Sequence, residues 1–165
     1  MQEEVIEIVD IEGRTIGLRN RSEVHGDPSL LHKVVHVLVF NDAGQLLLQK
    51  RSMKKDVAPG KWDTSVGGHV CPGEDLMVAA LREMDEELGI ASDIIKPLYS
   101  HIFTGHDESE LVFTYQCVHN GPFPFNQEEI EEVAFWEMDD IRRALGCGLM
   151  SENFESDIII FLSGQ

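Results

Sequence analysis

The segment from Glu74 to Leu88 contains neither proline nor glycine and is followed directly by Gly89. Because glycine readily adopts the left-handed conformation that ends many helices, this run predicts one helix with a defined C-terminal end. Four apolar residues of the run fall on one helical face: Met77, Leu81, Met84 and Leu88. We expect this face to pack against the core, which fixes how the helix is oriented in the fold.

The opposite face of the same helix is acidic. In the stretch REMDEELG, Glu83, Glu86 and Glu87 are spaced i, i+3 and i+4, so their carboxylates converge, whereas Asp85 points away. A solvated helix face explains such a pattern as well. Two details favour a ligand: like charges at these spacings destabilise a helix, and the small Ala79 one turn earlier leaves room for an approach. Hard cations such as Mg²⁺ prefer oxygen ligands of this kind.

The rest of the chain reads mainly as strands. Residues 5–18 predict two short strands with a turn at Glu12–Gly13, and the turn at 41–44 separates two β-rich runs. Further strands are predicted in WDTSVGGHV, IKPLYSHIF, ELVFTYQCVH and EVAFWEM. Asp139 or Asp140 is the expected cap of a short helix ending at Leu145, and DIIIFLSG is ambiguous between helix and strand. The pattern predicts a mixed α/β fold with a helix after several strands.

Composition narrows the classes of partner. A chain of 165 residues fits one domain, and it has no apolar run long enough to cross a bilayer and no basic, then apolar, leader, so we expect a soluble cytoplasmic protein. Three widely spaced cysteines suggest reduced, buried thiols.

The chain has thirty acidic and thirteen basic residues, which gives a net charge of −17 and argues against binding to nucleic acid polymers and anionic membranes. A single basic patch remains: Lys50, Arg51, Lys54, Lys55 and Lys61.

The acidic helix carries a specific motif. Gly68, five residues, Glu74, seven residues and then the run from Arg82 to Ile90 match the Nudix box at all nine defined positions over 23 residues. The chain therefore resembles a Nudix hydrolase. The resemblance implies an α/β/α sandwich with a mixed sheet and a central loop-helix-loop motif, formed by residues 1–165 as a single domain with an N-terminal β-hairpin at residues 1–20.

The resemblance also implies an activity and roles for the box residues. Nudix hydrolases cleave a diphosphate linked to another moiety with Mg²⁺ or Mn²⁺, and many are homodimers acting on a small phosphorylated substrate. Glu83, Glu86 and Glu87 would bind the metal with a carbonyl near Gly68. Glu74 and Arg82 would brace the motif, which ends at Gly89. A general base beyond the box has four candidates, among which the sequence does not choose: Glu128, Glu129, Glu131 and Glu132.

A second resemblance covers about residues 21–120, which are similar to isopentenyl-diphosphate isomerase, a non-hydrolytic Nudix relative. It implies a second metal site made of five residues: His25, His32, His69, Glu108 and Glu110. It also implies diphosphate binding by Arg51 and Lys55. Ordinary polar residues at a strand entry and in a solvated loop are the alternative explanation for these histidines and acids.

The isomerase resemblance fails at one essential position. The isomerase has a catalytic cysteine two residues before its third histidine, whereas this chain has Gly67 there, and Cys71 lies on the other side of His69. The intact Nudix box also departs from the degraded box of the isomerases. The sequence therefore favours a hydrolase from the isomerase-like branch. An isomerase and a nucleotide-sensing module without catalysis remain the alternatives.

Overall fold

The computed structural model of this chain describes residues 2–91 and 94–164. The strands are β1 (Val5–Val9), β2 (Thr15–Asn20), β3 (Leu31–Phe40), β4 (Leu46–Arg51), β5 (Trp62–Asp63), β6 (Val66–His69), β7 (Lys96–Thr104), β8 (Ser109–Val118) and β9 (Ile130–Trp136). The helices are α1 (Arg21–Val24), α2 (Leu76–Leu88), α3 (Met138–Ala144) and α4 (Glu152–Leu162). Within the described residues, no helix is both long and apolar enough to span a membrane.

Strand β3 organises a mixed sheet. It pairs in parallel with β8 along its whole length and antiparallel with β6 over residues 34–37. At its two ends it meets β1 and β4 through single antiparallel pairs. The remaining antiparallel pairs are β1 with β2, β7 with β8, and β4 with β5 and β9. The fold is therefore α/β with a mixed sheet, as the sequence predicted. The assignment of residues 1–165 to one domain stays a prediction.

Side-chain alternation along β3 separates two apolar layers. Val35, Val37 and Val39 pack in one cluster with buried residues of α2, including Met84 and Leu88. Leu38 points the other way and packs in a second cluster with residues of α3 and α4. Because alternate residues of a strand point to opposite faces, β3 is buried on both sides. Helices cover both faces of the sheet and form an α/β/α sandwich.

Helix α2 differs in detail from the sequence prediction. Asp75, whose carboxylate accepts hydrogen bonds from the amides of Met77 and Val78, is its N-cap, and Gly89 at φ 70° ends it. Met84 and Leu88 are fully buried, but Met77 is 40% exposed and does not belong to the core stripe. Ala79, which we expected to leave room for a ligand, is instead fully buried. The buried face is thus rotated toward Ala79 and Ala80.

The C-terminal helices and the cysteines also correct the sequence analysis. Helix α3 has Glu137 as its N-cap, without a side-chain cap bond, rather than Asp139 or Asp140. The ambiguous DIIIFLSG segment is helical and belongs to α4, which begins after Ser151, whose hydroxyl accepts from the amide of Phe154. Cys71 and Cys147 are exposed, so the expectation of buried thiols holds for Cys117 alone.

Candidate functional site

Most of the residues singled out in the sequence line one cleft of about 840 Å³. Its walls include three groups of side chains: the box glutamates Glu83, Glu86 and Glu87 with Gly68; His25, His69, Glu108 and Glu110; and Arg51 with Lys55. His32 is fully buried directly behind this wall. The box, the histidine and glutamate cluster and part of the basic patch are therefore neighbours in space, whereas Lys50 and Lys54 of that patch do not line the cleft.

The glycine of the box allows α2 to approach β6. Gly68 pairs with Val35 in the sheet, and a Cβ atom at this position would overlap the carboxylate of Glu83. Glu83 therefore lies directly over the strand backbone, in space that any other residue at position 68 would fill. Burial raises the pKa of Glu83, although neighbouring Arg82 opposes the shift.

Arg82 donates hydrogen bonds to three glutamates of the box. Its Nε and Nη2 donate to the two carboxylate oxygens of Glu74 at 2.8 and 2.9 Å, and Nη2 also donates to the carbonyl of His69 at 3.0 Å. Its Nη1 donates to Glu83 at 2.9 Å and to Glu86 at 3.3 Å. The bidentate hydrogen bond with Arg82 lowers the pKa of Glu74 to about 2. Arg82 thus connects the loop before α2 to the helix and to β6.

Glu87 is half-buried at the wall of the cleft. Its Oε1 accepts from Gln49 Nε2 at 3.0 Å and from the Gly67 amide at 3.2 Å. Burial and the nearby charge of Glu83 raise the pKa of Glu87 to about 8. These two hydrogen bonds do not offset burial, and no described cationic residue forms an ion pair with Glu87.

Three histidines from separate parts of the chain form the second cluster. His25 is the C-cap of α1, His32 lies on β3, and His69 ends β6. The Nε2 atoms of His25 and His69 are 3.2 Å apart, and the ring centroids of His32 lie 5.9 and 5.2 Å from those of His25 and His69. Burial lowers the pKa of His25 to about 4 and of His32 to about 3, which keeps both rings neutral and able to ligate metal.

Two glutamates complete this cluster. The parallel register of β3 and β8 places Glu110 beside His32, with Oε2 3.7 Å from Nε2, and Glu108 Oε2 lies 3.4 Å from His25 Nε2. Burial, with the charge of Glu110, raises the pKa of Glu108 to about 7, and burial also raises the pKa of Glu110. Within the described chain, Glu108 Oε2 and both ring nitrogens of His32 make no well-formed hydrogen bond.

This second cluster fits a divalent cation. Ligand atoms of His25, His32 and His69 lie within 4.8 Å of one another, and so do those of His32, Glu108 and Glu110. The neutral imidazoles of His25 and His32 and the unpartnered Oε2 of Glu108 are groups that a cation would satisfy. Among residues 2–91 and 94–164, the three box glutamates do not form a third group of this kind, and Glu83 and Glu86 both accept from Arg82 Nη1 instead.

The basic residues of the cleft are already engaged. Arg51 Nη1 donates to Asp63 at 3.2 Å and its Nε donates to the Val57 carbonyl at 2.8 Å. Lys55 forms an ion pair with Glu129. Of the four candidate general bases, Glu129 is the one that lines the cleft. A phosphate ligand would therefore compete with these carboxylates for the same donors.

Several site residues were not found from the sequence. Glu4 lies 3.3 Å from His69 Nδ1, Gln49 binds Glu87, and Asn153 of α4 donates to Glu110. Asp157 of α4 forms a buried pair with His36 at 2.7 Å. An aspartate next to an apolar helical run is a sequence signal for a buried polar contact, because a buried carboxylate needs a hydrogen-bond partner. Which residue is the partner depends on the tertiary fold.

Comparison with known proteins assigns the family. The family model described as NUDIX domain matches residues 30–151. An uncharacterized Nudix hydrolase of Yersinia pestis is 35% identical over 141 residues, covering 84% of this chain and 75% of that protein. The chain belongs to the NUDIX family. Family membership supports, in general terms, a hydrolase that cleaves diphosphates.

Other NUDIX relatives cover both branches suggested by the sequence. An isopentenyl-diphosphate Delta-isomerase of Streptomyces avermitilis is 34% identical over 137 residues, covering 79% of this chain and 70% of the isomerase. The crystal structure of DR0079 from Deinococcus radiodurans aligns with a TM-score of 0.78 and 25% identity, covering 90% of this chain and 92% of that one. The relatives therefore establish the family and the fold, and leave the choice of reaction to the residues of the site.

Proposed function

We propose that this NUDIX protein is a metal-dependent hydrolase that cleaves a diphosphate linkage in a nucleoside diphosphate-linked or related small molecule. Mg²⁺ or Mn²⁺ is the proposed cofactor, and a small phosphorylated substrate is the proposed partner. The observation that carries the proposal is one cleft where the intact box, the histidine and glutamate cluster and the basic residues Arg51 and Lys55 meet. A homodimer stays a prediction.

The chain offers two sets of metal ligands. The first set is Glu83, Glu86, Glu87 and the carbonyl near Gly68; the second is His25, His32, His69, Glu108 and Glu110. A bound divalent cation neutralises phosphate oxygens and lowers the pKa of an attacking water. The raised pKa values of Glu87 and Glu108 support these assignments, because each carboxylate lacks the positive charge that a cation would provide.

The protein side chains have separate tasks in this proposal. Arg51 and Lys55 bind phosphate oxygens and thereby hold the scissile linkage against the acidic wall. Glu129 is our candidate for the base that accepts a proton from the attacking water, since it lines the cleft beyond the box. The oxygen of that water bonds to phosphorus, the bridging P–O bond breaks, and the leaving phosphate takes the electron pair. Glu74 and Arg82 hold α2 in register for this chemistry.

The second candidate function is isopentenyl-diphosphate isomerisation. It is favoured by the five residues of the isomerase-like cluster lying together, and by the isomerase relative. It is disfavoured by Gly67, which has no group that transfers a proton to carbon. A third candidate, a nucleotide-sensing module, has no chemical need for an intact box.

One screen separates the three functions. Purified protein is incubated with nucleotide sugars, dinucleotides, coenzyme A derivatives and isopentenyl diphosphate, each with Mg²⁺, Mn²⁺ or a chelator. We expect metal-dependent release of phosphate or phosphomonoester from at least one compound. Conversion of isopentenyl diphosphate to its allylic isomer would support the isomerase instead. Tight nucleotide binding in calorimetry without turnover of any compound would support the sensing module.

A further inference from the structure

A buried ion pair joins the sheet to α4 at the floor of the cleft. Asp157 is fully buried and accepts from His36 Nδ1 at 2.7 Å. The same carboxylate accepts from the hydroxyls of Tyr99 at 2.6 Å and Thr114 at 3.0 Å. With three donors aimed at it, Asp157 is held in its ionised form, which fixes the Nδ1–H side of the His36 ring.

When the His36 ring is protonated, its other nitrogen, Nε2, is also a donor. Burial opposes a charged ring, but the hydrogen bond and charge of Asp157 outweigh burial and raise the pKa of His36. The charged groups of neighbouring elements act in both directions: Glu110 of β8 and Asp63 of β5 raise this pKa, whereas His36 and His101 of β7 repel each other when both are protonated. The protonated ring presents Nε2–H away from Asp157.

Nε2 faces Gly67, which directly precedes the box. His36 and Gly67 are paired in the sheet, and a Cβ at position 67 would lie 3.3 Å from His36 Cδ2 and 3.6 Å from Nε2. The amide of Gly67 is also the donor to Glu87. His36 lines the cleft although it is only 3% exposed, and within the described residues Nε2 makes no hydrogen bond. A polar edge therefore faces the space beside the catalytic acids.

Other cationic side chains of the cleft already have a partner at their charged end, whereas Nε2 of His36 has none in the described part of the chain. Arg21 pairs with Asp56 and Glu4, Arg51 with Asp63, and Lys55 with Glu129. Lys61 donates to the carbonyl of Gly148. Each of these contacts involves the end of a long side chain, whereas the His36 ring is fixed by Asp157 before any ligand enters. A fixed donor loses little conformational freedom on binding.

We propose that His36, oriented by Asp157, contacts the substrate and donates an Nε2–H hydrogen bond to a phosphate oxygen in the cleft. This inference rests on the proposed function, which supplies the diphosphate. Charge-assisted hydrogen bonds between imidazolium and phosphate oxygen are among the stronger ones in proteins. The competing role is purely structural: the pair would only attach α4 to the sheet.

Imidazole NMR tests the contact directly. Inorganic diphosphate is titrated into the protein with Mg²⁺, and the His36 ring signals are assigned by their loss in His36→Gln. We expect a saturable shift of these signals with the same dissociation constant that calorimetry gives for the whole protein. Binding that leaves the His36 signals unmoved would overturn the inference while leaving the proposed function intact.

Variants separate contact from folding. His36→Leu combined with Asp157→Asn removes both charges, so that no buried charge is left unpaired. We expect diphosphate affinity to fall about 10- to 100-fold, with a rise in KM, and His36→Gln, which keeps a neutral donor, to fall less. Ile158→Val, a buried apolar change on α4, is the control for a loss of stability alone and should keep wild-type affinity.

Two outcomes would contradict the inference in different ways. Wild-type affinity and KM in the folded double variant would leave His36 with a structural role only. Failure of the wild-type protein to bind diphosphate or to turn over any compound of the screen would contradict the proposed function, and the inference would fail with it.

Discussion

Gly68 shows at the scale of one residue why the box requires a glycine. The position is not a turn; its value is the missing side chain, which leaves space for the Glu83 carboxylate over β6. The spacing of the box could be read from the sequence, and so could the identity of its acids. The close approach could not, because it depends on how α2 packs on the strand.

Gly68→Ala should therefore damage the site more than the fold. The added methyl group would displace Glu83, and a misplacement of about 1 Å in a catalytic group costs on the order of 100-fold in rate. Turnover of the best substrate from the screen, with thermal unfolding alongside, measures both effects. Gly17→Ala on β2 is the matched control, since a Cβ there meets only the end of Arg19 at 3.5 Å. Equal activity of the two variants would refute the role of Gly68.

Helix α2 shows how far periodicity predicts an element. Its end at Leu88 and its cap at Gly89 follow from the sequence, and its start differs by two residues because Asp75 caps the amide groups that follow it. Periodicity placed Met77 and Met84 on one apolar stripe. In the structure, Met77 is 40% exposed, whereas Met84 is fully buried. Helix α4 was harder to predict, because the partner of Asp157 lies 121 residues away.

The two methionines of α2 make a matched pair for stability. Met84→Ala removes a fully buried side chain from the cluster under the helix and should lower the free energy of unfolding by about 2–5 kcal/mol. Met77→Ala, near the exposed start of the same helix, should lower it by less than about 1 kcal/mol. Chemical denaturation of both variants checks the difference. Equal losses would contradict the orientation of the helix that buries Met84 and exposes Met77.

At the scale of the whole molecule, the cleft is formed by residues that are far apart in the sequence. His25 follows α1, His69 ends β6, and Glu108 directly precedes β8, so the second cluster exists only when the sheet has formed. The resemblance to the isomerase identified the five residues of this cluster. Their positions in the sequence do not predict the distances between their side chains. Family resemblance supplied the candidates, and the parallel register of β3 with β8 explains why His32 and Glu110 meet.

A metal held by such a cluster should stabilise the whole fold. A ligand that binds only the folded state adds about 2.7 kcal/mol at a concentration of 100 times its Kd. For a chain of this size, that corresponds to a rise in Tm of roughly 5–10 °C. Differential scanning fluorimetry with Mn²⁺, compared with chelator, measures the rise, and the double variant Glu108→Gln, Glu110→Gln should reduce it. An unchanged Tm at millimolar Mn²⁺ would argue against metal binding.

We propose that the acidic face of α2 is the metal-dependent catalytic face. The most direct test of this proposal is the turnover of Glu87→Gln beside Asp85→Asn, two changes on the same helix that each remove one negative charge. Glu87 is enclosed at the cleft, whereas Asp85 is exposed and outside it. We predict that Glu87→Gln loses activity by a factor on the order of 1,000 while keeping its fold, and that Asp85→Asn keeps wild-type activity. Full activity of folded Glu87→Gln would show that Glu87 does not take part in metal-dependent catalysis.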